Sequence, residues 1–302
     1  MPSLVNVCGR EIKISGNLIR IARVHGDKYK FIDDPVPVIE GLRNLSERID
    51  LFTFVPRLPP RPELLPYAME WDNLATLPLT TFDHWWTQQI DNKTRNMVRK
   101  AEKNGVTARE VPFNDALVQA IWKIYNEAPI RQGKPFPHYG KELRTVYREE
   151  ATHLDNSVFI GAFLEDEIIG FVKLVIDYSG AQAGIMNFVS LLKHREKAPT
   201  NELIAEAVRS SVSRGVSYLT YSGFSYGKKQ RDSLSDFKKN NGFQKVDLPR
   251  YYVPFTTMGR LAFGLGLLHG LSGYVPEFTA AWLRNLRKVW YNRKRQSAKQ
   301  TS

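Results

Sequence analysis

Cysteine is almost absent from this 302-residue chain: Cys8 is the sole thiol, which excludes an internal disulfide framework and a cysteine-built zinc cluster. A reducing compartment follows as the expectation, with the cytoplasm as default. Long apolar runs are also missing, since no stretch of about 18 uninterrupted apolar residues occurs and no spanning helix is expected. Met1-Pro2-Ser3-Leu4-Val5-Asn6-Val7 lacks the basic-then-apolar pattern of a secretory signal, and none is expected. No short-period repeat is found. Acidic residues are in deficit, 31 against 43 Lys and Arg, and the formal charge of +12 calls for nucleic acid, a phosphorylated substrate or an anionic membrane surface. What is present, 42% hydrophobic and 12% aromatic residues, suffices for a real core.

Alternation over Glu11 to Val24 around Ser15-Gly16-Asn17 predicts a hairpin, and Asp50 to Val55 a strand that ends in the proline-rich run Pro56 to Pro66. Leu74 to Leu79 reads as a short strand. Phe82, Trp85, Trp86, Ile90, Met97, Val98 and Ala101 predict one helix over Thr81 to Asn104, stopped by Gly105 and followed by a strand from Val106 to Val111. Helices are expected from Asn114 to Glu127 and Lys141 to His153, joined by Arg131 to Gly140, which is too long and particular for a simple connector. Ser157 to Ala162 and Glu167 to Asp177 read as a hairpin, and Ala183 to Leu192 as a third strand. Thr200 to Ser213 is the next helix, Val216 to Tyr221 a strand, Ser233 to Asn241 a short helix, and Phe243 to Phe255 a last strand region. This is an α/β order with a mixed sheet, both antiparallel and parallel.

Beyond Phe255 the composition changes. Phe278, Trp282, Leu286, Val289 and Trp290 lie three or four apart after Pro276, with Arg284, Arg287, Lys288, Arg293, Lys294 and Arg295 on the other face or following it. Residues 258–302 carry +7 of the net +12. Such a segment either lies in the interface of an anionic membrane or packs on the body with a basic end.

The stretch Arg95-Asn96-Met97-Val98-Arg99-Lys100-Ala101-Glu102-Lys103-Asn104-Gly105-Val106, and later Leu234-Ser235-Asp236-Phe237-Lys238-Lys239-Asn240-Asn241-Gly242-Phe243, resemble motifs of the FemAB-like branch of the GNAT acyltransferase superfamily. The resemblance spans roughly Leu51 to Phe255. It implies two GNAT-like halves, here 1–112 and 113–257, with 258–302 as a helical extension. It also implies transfer of an acyl or aminoacyl group, from acyl-CoA such as acetyl-CoA or from aminoacyl-tRNA, to an amine or hydroxyl of an envelope or glycan precursor. No metal is expected. A noncatalytic protein of the same fold, docking tRNA or an anionic membrane, is the alternative.

The resemblance places Lys238 where the family stabilises charge on the reacting carbonyl; the other reading is a lysine that solvates a short helix. Tyr226 and Asp177 are further catalytic candidates, beside Tyr178 and His194. Where GNAT enzymes hold a pyrophosphate on glycines, this chain has Leu192-Lys193-His194-Arg195-Glu196-Lys197-Ala198-Pro199-Thr200-Asn201, with no glycine and one N–H removed by Pro199. Lys193, Arg195, Thr200 and Asn201, with Phe237, are the candidates for donor or phosphate binding. Arg95, Arg99, Tyr139 and Lys228 are the candidates for substrate binding, Arg95 and Arg99 equally readable as members of a solvated mixed-charge face.

Overall fold

Alternating apolar residues and tight turns start the chain as a meander. Ser3–Val7 (β1) and Arg10–Ser15 (β2) pair antiparallel across Cys8 and Gly9, both at positive φ, and β2 pairs with Ile21–Val24 (β3). Gly16 is required in that second turn: at φ +104, a Cβ would stand 2.0 Å from the carbonyl oxygen of Ile19. The chain then crosses through helix α1 (Val36–Arg43) to Leu51–Phe54 (β4), which lies parallel to β3 with Ala22 opposite Phe52. The computed structural model describes residues 2–224 and 233–269.

Ala68–Pro78 (β5) is an eleven-residue strand, longer than the expected Leu74 to Leu79. The helix expected over Thr81 to Asn104 is broken. Phe82–His84 (α2) runs into a wider turn, Trp85–Gln89, Ile90 is extended, and a new helix, Asn92–Lys103 (α3), begins where the Asp91 carboxylate accepts the Thr94 N–H at 2.7 Å. Asp91 is an N-cap, so the apolar spacing on either side belongs to two helices. Val106–Val111 (β6), Asp115–Tyr125 (α4), the two-residue strands Ile130–Arg131 (β7) and Lys134–Pro135 (β8), and Leu143–Glu150 (α5) follow.

Ser157–Leu164 (β9) and Glu167–Ile176 (β10) form the expected hairpin, and β10 pairs with Gln182–Ser190 (β11). Helix α6 (Pro199–Ser213) then crosses to Tyr218–Thr220 (β12), parallel to β11. The path from β9 to β12 therefore repeats the path from β1 to β4: three antiparallel strands, a helix, and a fourth strand parallel to the third. Ser233–Asn240 (α7), Gln244–Pro254 (β13) and Thr257–Gly264 (α8) complete the described chain.

All strands except β7 and β8 join one sheet in the order β1-β2-β3-β4-β13-β5-β12-β11-β10-β9-β6. β13 pairs with β4 and β5 pairs with β12, while β5 and β13 pair with each other, so each repeat is extended by a strand from the other end of the chain. One core packs α3, α4 and α6 on the second repeat around Trp85, Tyr125 and Phe171; another fills the first repeat around Ile12, Phe52, Phe54 and Tyr251. Each such fully buried side chain contributes roughly 1.5–3 kcal/mol of transfer free energy. Among the described residues no helix is long and apolar enough to cross a membrane.

Candidate active site

Parallel pairing of β11 and β12 covers Gln182 to Gly184 and stops at Thr220, while β11 continues to Ser190 along β10 alone. The strands therefore part and leave a wedge. β11 also carries a bulge there: Lys173 faces Asn187 but Leu174 faces Ile185, so Met186 is the extra residue. The ring of Phe188 meets Tyr221 and Phe237 with centroids 6.0 and 5.4 Å apart, and Tyr221 meets Phe243 at 6.2 Å.

Lys238 enters this aromatic lining from α7. It is fully buried, its Nζ donates to the Gly223 carbonyl at 2.6 Å and stands 4.7 Å from the centroid of the Tyr221 ring. The end of α7 is tied from two sides: Trp85 Nε1 donates to the Asn241 carbonyl at 3.1 Å and Thr94 Oγ1 to that of Asn240 at 3.0 Å. Gly242 closes the helix at φ +86, where a Cβ would press on Leu77 and Gln89. The segment from Phe237 to Phe243 is thus a rigid mount for one ammonium group.

Two residues past Phe188 on β11, the Ser190 carbonyl accepts Arg131 Nη1 at 2.7 Å. Arg131 also holds Glu127, whose carboxylate accepts the backbone N–H groups of Leu192 and Lys193 at 2.6 and 2.8 Å. Leu192–Lys197 is a 3-10 turn leading to Ala198, which caps α6 in the left-handed conformation, with Pro199 in its first turn. A protein carboxylate thus already occupies the first amides of the basic segment. Lys193 pairs with Glu167 at 3.2 Å, Arg195 is exposed, and Thr200 and Asn201 are half-buried at the start of α6.

The other expected residues fall elsewhere. Asp177 is buried in the turn after β10, accepting Ser179 Oγ at 2.6 Å and the Gln182 N–H at 3.3 Å, with Arg57 Nε 3.6 Å away. Arg95 donates to the carbonyls of Trp86 and Ile90 at 2.6 and 2.7 Å, bracing the break before α3, and Arg99 stands over the Trp86 ring. Tyr139 is exposed beyond β8. Tyr226 and Lys228 lie outside the described residues, as does the helix expected after Pro276.

Sequence reasoning passed over a buried network behind the bulge. Glu150 accepts Tyr125 Oη at 2.8 Å and Asn187 Nδ2 at 2.8 and 2.9 Å, and burial pushes its carboxyl up. Lys173 donates to the carbonyls of Glu150 and Thr152, each at 2.6 Å, and burial lowers it to about 8. The available signal was a lysine inside the apolar strand Ile168 to Ile176. Two adjoining cavities of about 360 and 300 Å³, sharing Asp27, Lys28, Asp72 and Arg250, also went unforeseen. The first runs along β3, β4 and β13 past Arg23 and Thr53; the second reaches Ser222 and Gly223, the residue whose carbonyl holds Lys238.

No protein-family model and no curated protein matches the sequence. Solved structures do. FemX covers 82% of this chain and 87% of its own at 11% identity with a TM-score of 0.59. L-PGS from Bacillus licheniformis covers 84% and 83% at 13% identity and 0.55. The C-terminal domain of a putative lysylphosphatidylglycerol synthetase from Agrobacterium fabrum covers 88% and 89% at 14% identity and 0.53. The chain has the FemAB-like tandem GNAT fold, with a mixed sheet.

Proposed function

We propose that the protein transfers an aminoacyl group from aminoacyl-tRNA to an amine or hydroxyl of an envelope or glycan precursor, with the β11–β12 wedge as the reaction site. The observation that carries this reading is the buried Lys238 ammonium, fixed among aromatic rings at the mouth of the strand separation. In such a reaction the acceptor attacks the ester carbonyl, negative charge gathers on the carbonyl oxygen, and the tRNA hydroxyl leaves with a proton as the new amide or ester forms. An ammonium placed beforehand in a water-poor site stabilises that oxygen in the transition state.

Aminoacyl-tRNA is favoured over acyl-CoA because the segment from Leu192 to Asn201 has no glycine and its first two amides already hold the Glu127 carboxylate. Lys193, Arg195, Thr200 and Asn201 remain to meet a phosphate of the tRNA end. The names of the lysylphosphatidylglycerol synthetase neighbours support an aminoacyl donor and a membrane-bound acceptor. The two repeats of the sheet, β1 to β4 and β9 to β12, are proposed to bring acceptor and donor together, with 258–302 holding the protein peripherally on an anionic membrane.

The test is transfer from a pool of radiolabelled aminoacyl-tRNAs, or from labelled acetyl-CoA, into lipid and aqueous envelope precursors. Label moving from tRNA and lost in Lys238→Met supports the reading. Movement from acetyl-CoA alone refutes the donor, and tRNA binding without any transfer leaves the noncatalytic alternative standing.

A further inference from the structure

Glu11 and His25 face each other across β2 and the end of β3, and the His25 N–H donates to the Glu11 carbonyl at 2.8 Å. His153 comes to the same place from the other repeat, in the turn between α5 and β9. It holds a left-handed backbone, φ 57°, and its carbonyl accepts both Ser157 Oγ at 2.7 Å and the Asn156 N–H at 3.0 Å. The imidazoles lie 4.6 Å apart, and one ligand atom from each of the three residues falls within 4.8 Å of the others.

This approach is built into the backbone. A Cβ on Gly26 would stand 2.8 Å from His153 Nε2, so only glycine beside His25 admits the second ring. His153 Nδ1 is buried and has no hydrogen-bond partner, and a non-glycine left-handed residue with an unsatisfied ring nitrogen needs a compensating interaction.

We propose that Glu11, His25 and His153 bind one zinc(II) ion, which ties the first repeat of the sheet to the second. Two imidazole nitrogens and a carboxylate are a zinc donor set, with a fourth position left to water. Lys30 lies 4.0 Å from Glu11 Oε2 and 3.4 Å from the Tyr178 hydroxyl, and so becomes the outer partner of the ligating carboxylate. The charges of Lys30 and of Lys13, close to His25, oppose any cation, so the ion must gain strongly from nitrogen ligands. That selects zinc over magnesium or calcium. Ligand atoms of a tetrahedral site stand roughly 3.3 Å apart at zinc–nitrogen distances of about 2.0–2.1 Å, so binding draws the three side chains together by at most about 1.5 Å. The half-exposed Glu11 side chain is free to make most of that movement.

The full chain, freed of metal with a chelator, is titrated with zinc chloride against a chromophoric competitor. One equivalent is expected, with a rise in melting temperature that millimolar magnesium does not produce. His153→Asn and His25→Asn should each weaken binding by at least about tenfold while leaving the circular dichroism of the fold unchanged. Cobalt(II) on the unmutated chain should show the visible bands of a four- or five-coordinate site, a readout independent of how any variant folds. Absence of a stoichiometric zinc and of those bands, or full affinity in both histidine variants, overturns the proposal.

Discussion

The Nζ of Lys238 donates to the carbonyl of Gly223 across 2.6 Å, so the ammonium at the wedge is held by the strand-to-helix segment that also borders the second cavity. This bond aims the lysine into the aromatic lining of the wedge. Lys238→Met keeps the stem and removes the charge. We expect the transfer rate at saturating donor to fall by about 10²–10³, the usual cost of one preorganised oxyanion donor, with little change in donor binding. Single-turnover kinetics checks this; a fall of less than threefold would make Lys238 a packing residue.

Glu127→Ala frees the amides of Leu192 and Lys193 and removes a negative charge from the entrance to α6. The variant should gain affinity for coenzyme A, at least about tenfold for the loss of one closely placed like charge. Calorimetry on both proteins is the check, and equal affinities would show that Glu127 does not select the donor.

Much of the fold was legible because it rests on local patterns. The hairpin of β9 and β10 alternates visibly, and Gly242 marks the stop of the short helix that carries Lys238. Two halves were implied by the resemblance, but that β9 to β12 retrace β1 to β4 was hidden, since the same backbone path is built from different side chains. The break at Asp91 was masked by helical spacing on both sides of it. Arg95 and Arg99 looked available for substrate because sequence shows charge and not the carbonyls of Trp86 and Ile90 that Arg95 serves. Glu11, His25 and His153 are far apart in the chain, and no spacing rule joins them.

Glu202 lies buried in the first turns of α6, with Arg209 3.8 Å away and Oε2 unpartnered; burial pushes its carboxyl up to about 7. The folded chain therefore keeps a proton that the unfolded chain releases near pH 4.5. Stability from this group is fully present below that value, declines as pH rises toward 7, and stays lost above it. Glu202→Gln should be nearly neutral at pH 5 and more stable than the parent at pH 8, by at most about 3 kcal/mol. Urea unfolding at the two pH values measures the difference, and an equal effect at both would contradict it.

Gly259 lets α8 dock on the sheet: a Cβ there would stand 1.9 Å from the carbonyl oxygen of Asp50. Asp50 is fully buried. Its burial alone would raise the carboxyl, but the Arg20 N–H, the Thr256 hydroxyl and Arg48 together pull it below the usual range. Gly259→Ala must push α8 away from this anchor, at a cost of about 1–3 kcal/mol or more. Thermal unfolding should show the loss, and an unchanged melting temperature would mean that the helix start shifts freely.

α8 turns Gly259 and Ala262 inward, while its Leu261 and, just past its end, Leu265 and Leu267 are exposed, ahead of the segment whose basic residues give 258–302 most of its charge of +7. Exposed leucines beside concentrated Lys and Arg combine apolar insertion with attraction to anionic lipid, worth about 1 kcal/mol for each cation near the surface. The full chain should therefore float with vesicles containing phosphatidylglycerol, less so with neutral vesicles, and progressively less as salt is raised. A chain ending at His269 keeps the leucines and loses seven of the eight basic residues of 258–302, so it should lose most of that binding. Equal flotation of the two chains would remove the membrane role proposed for the basic segment.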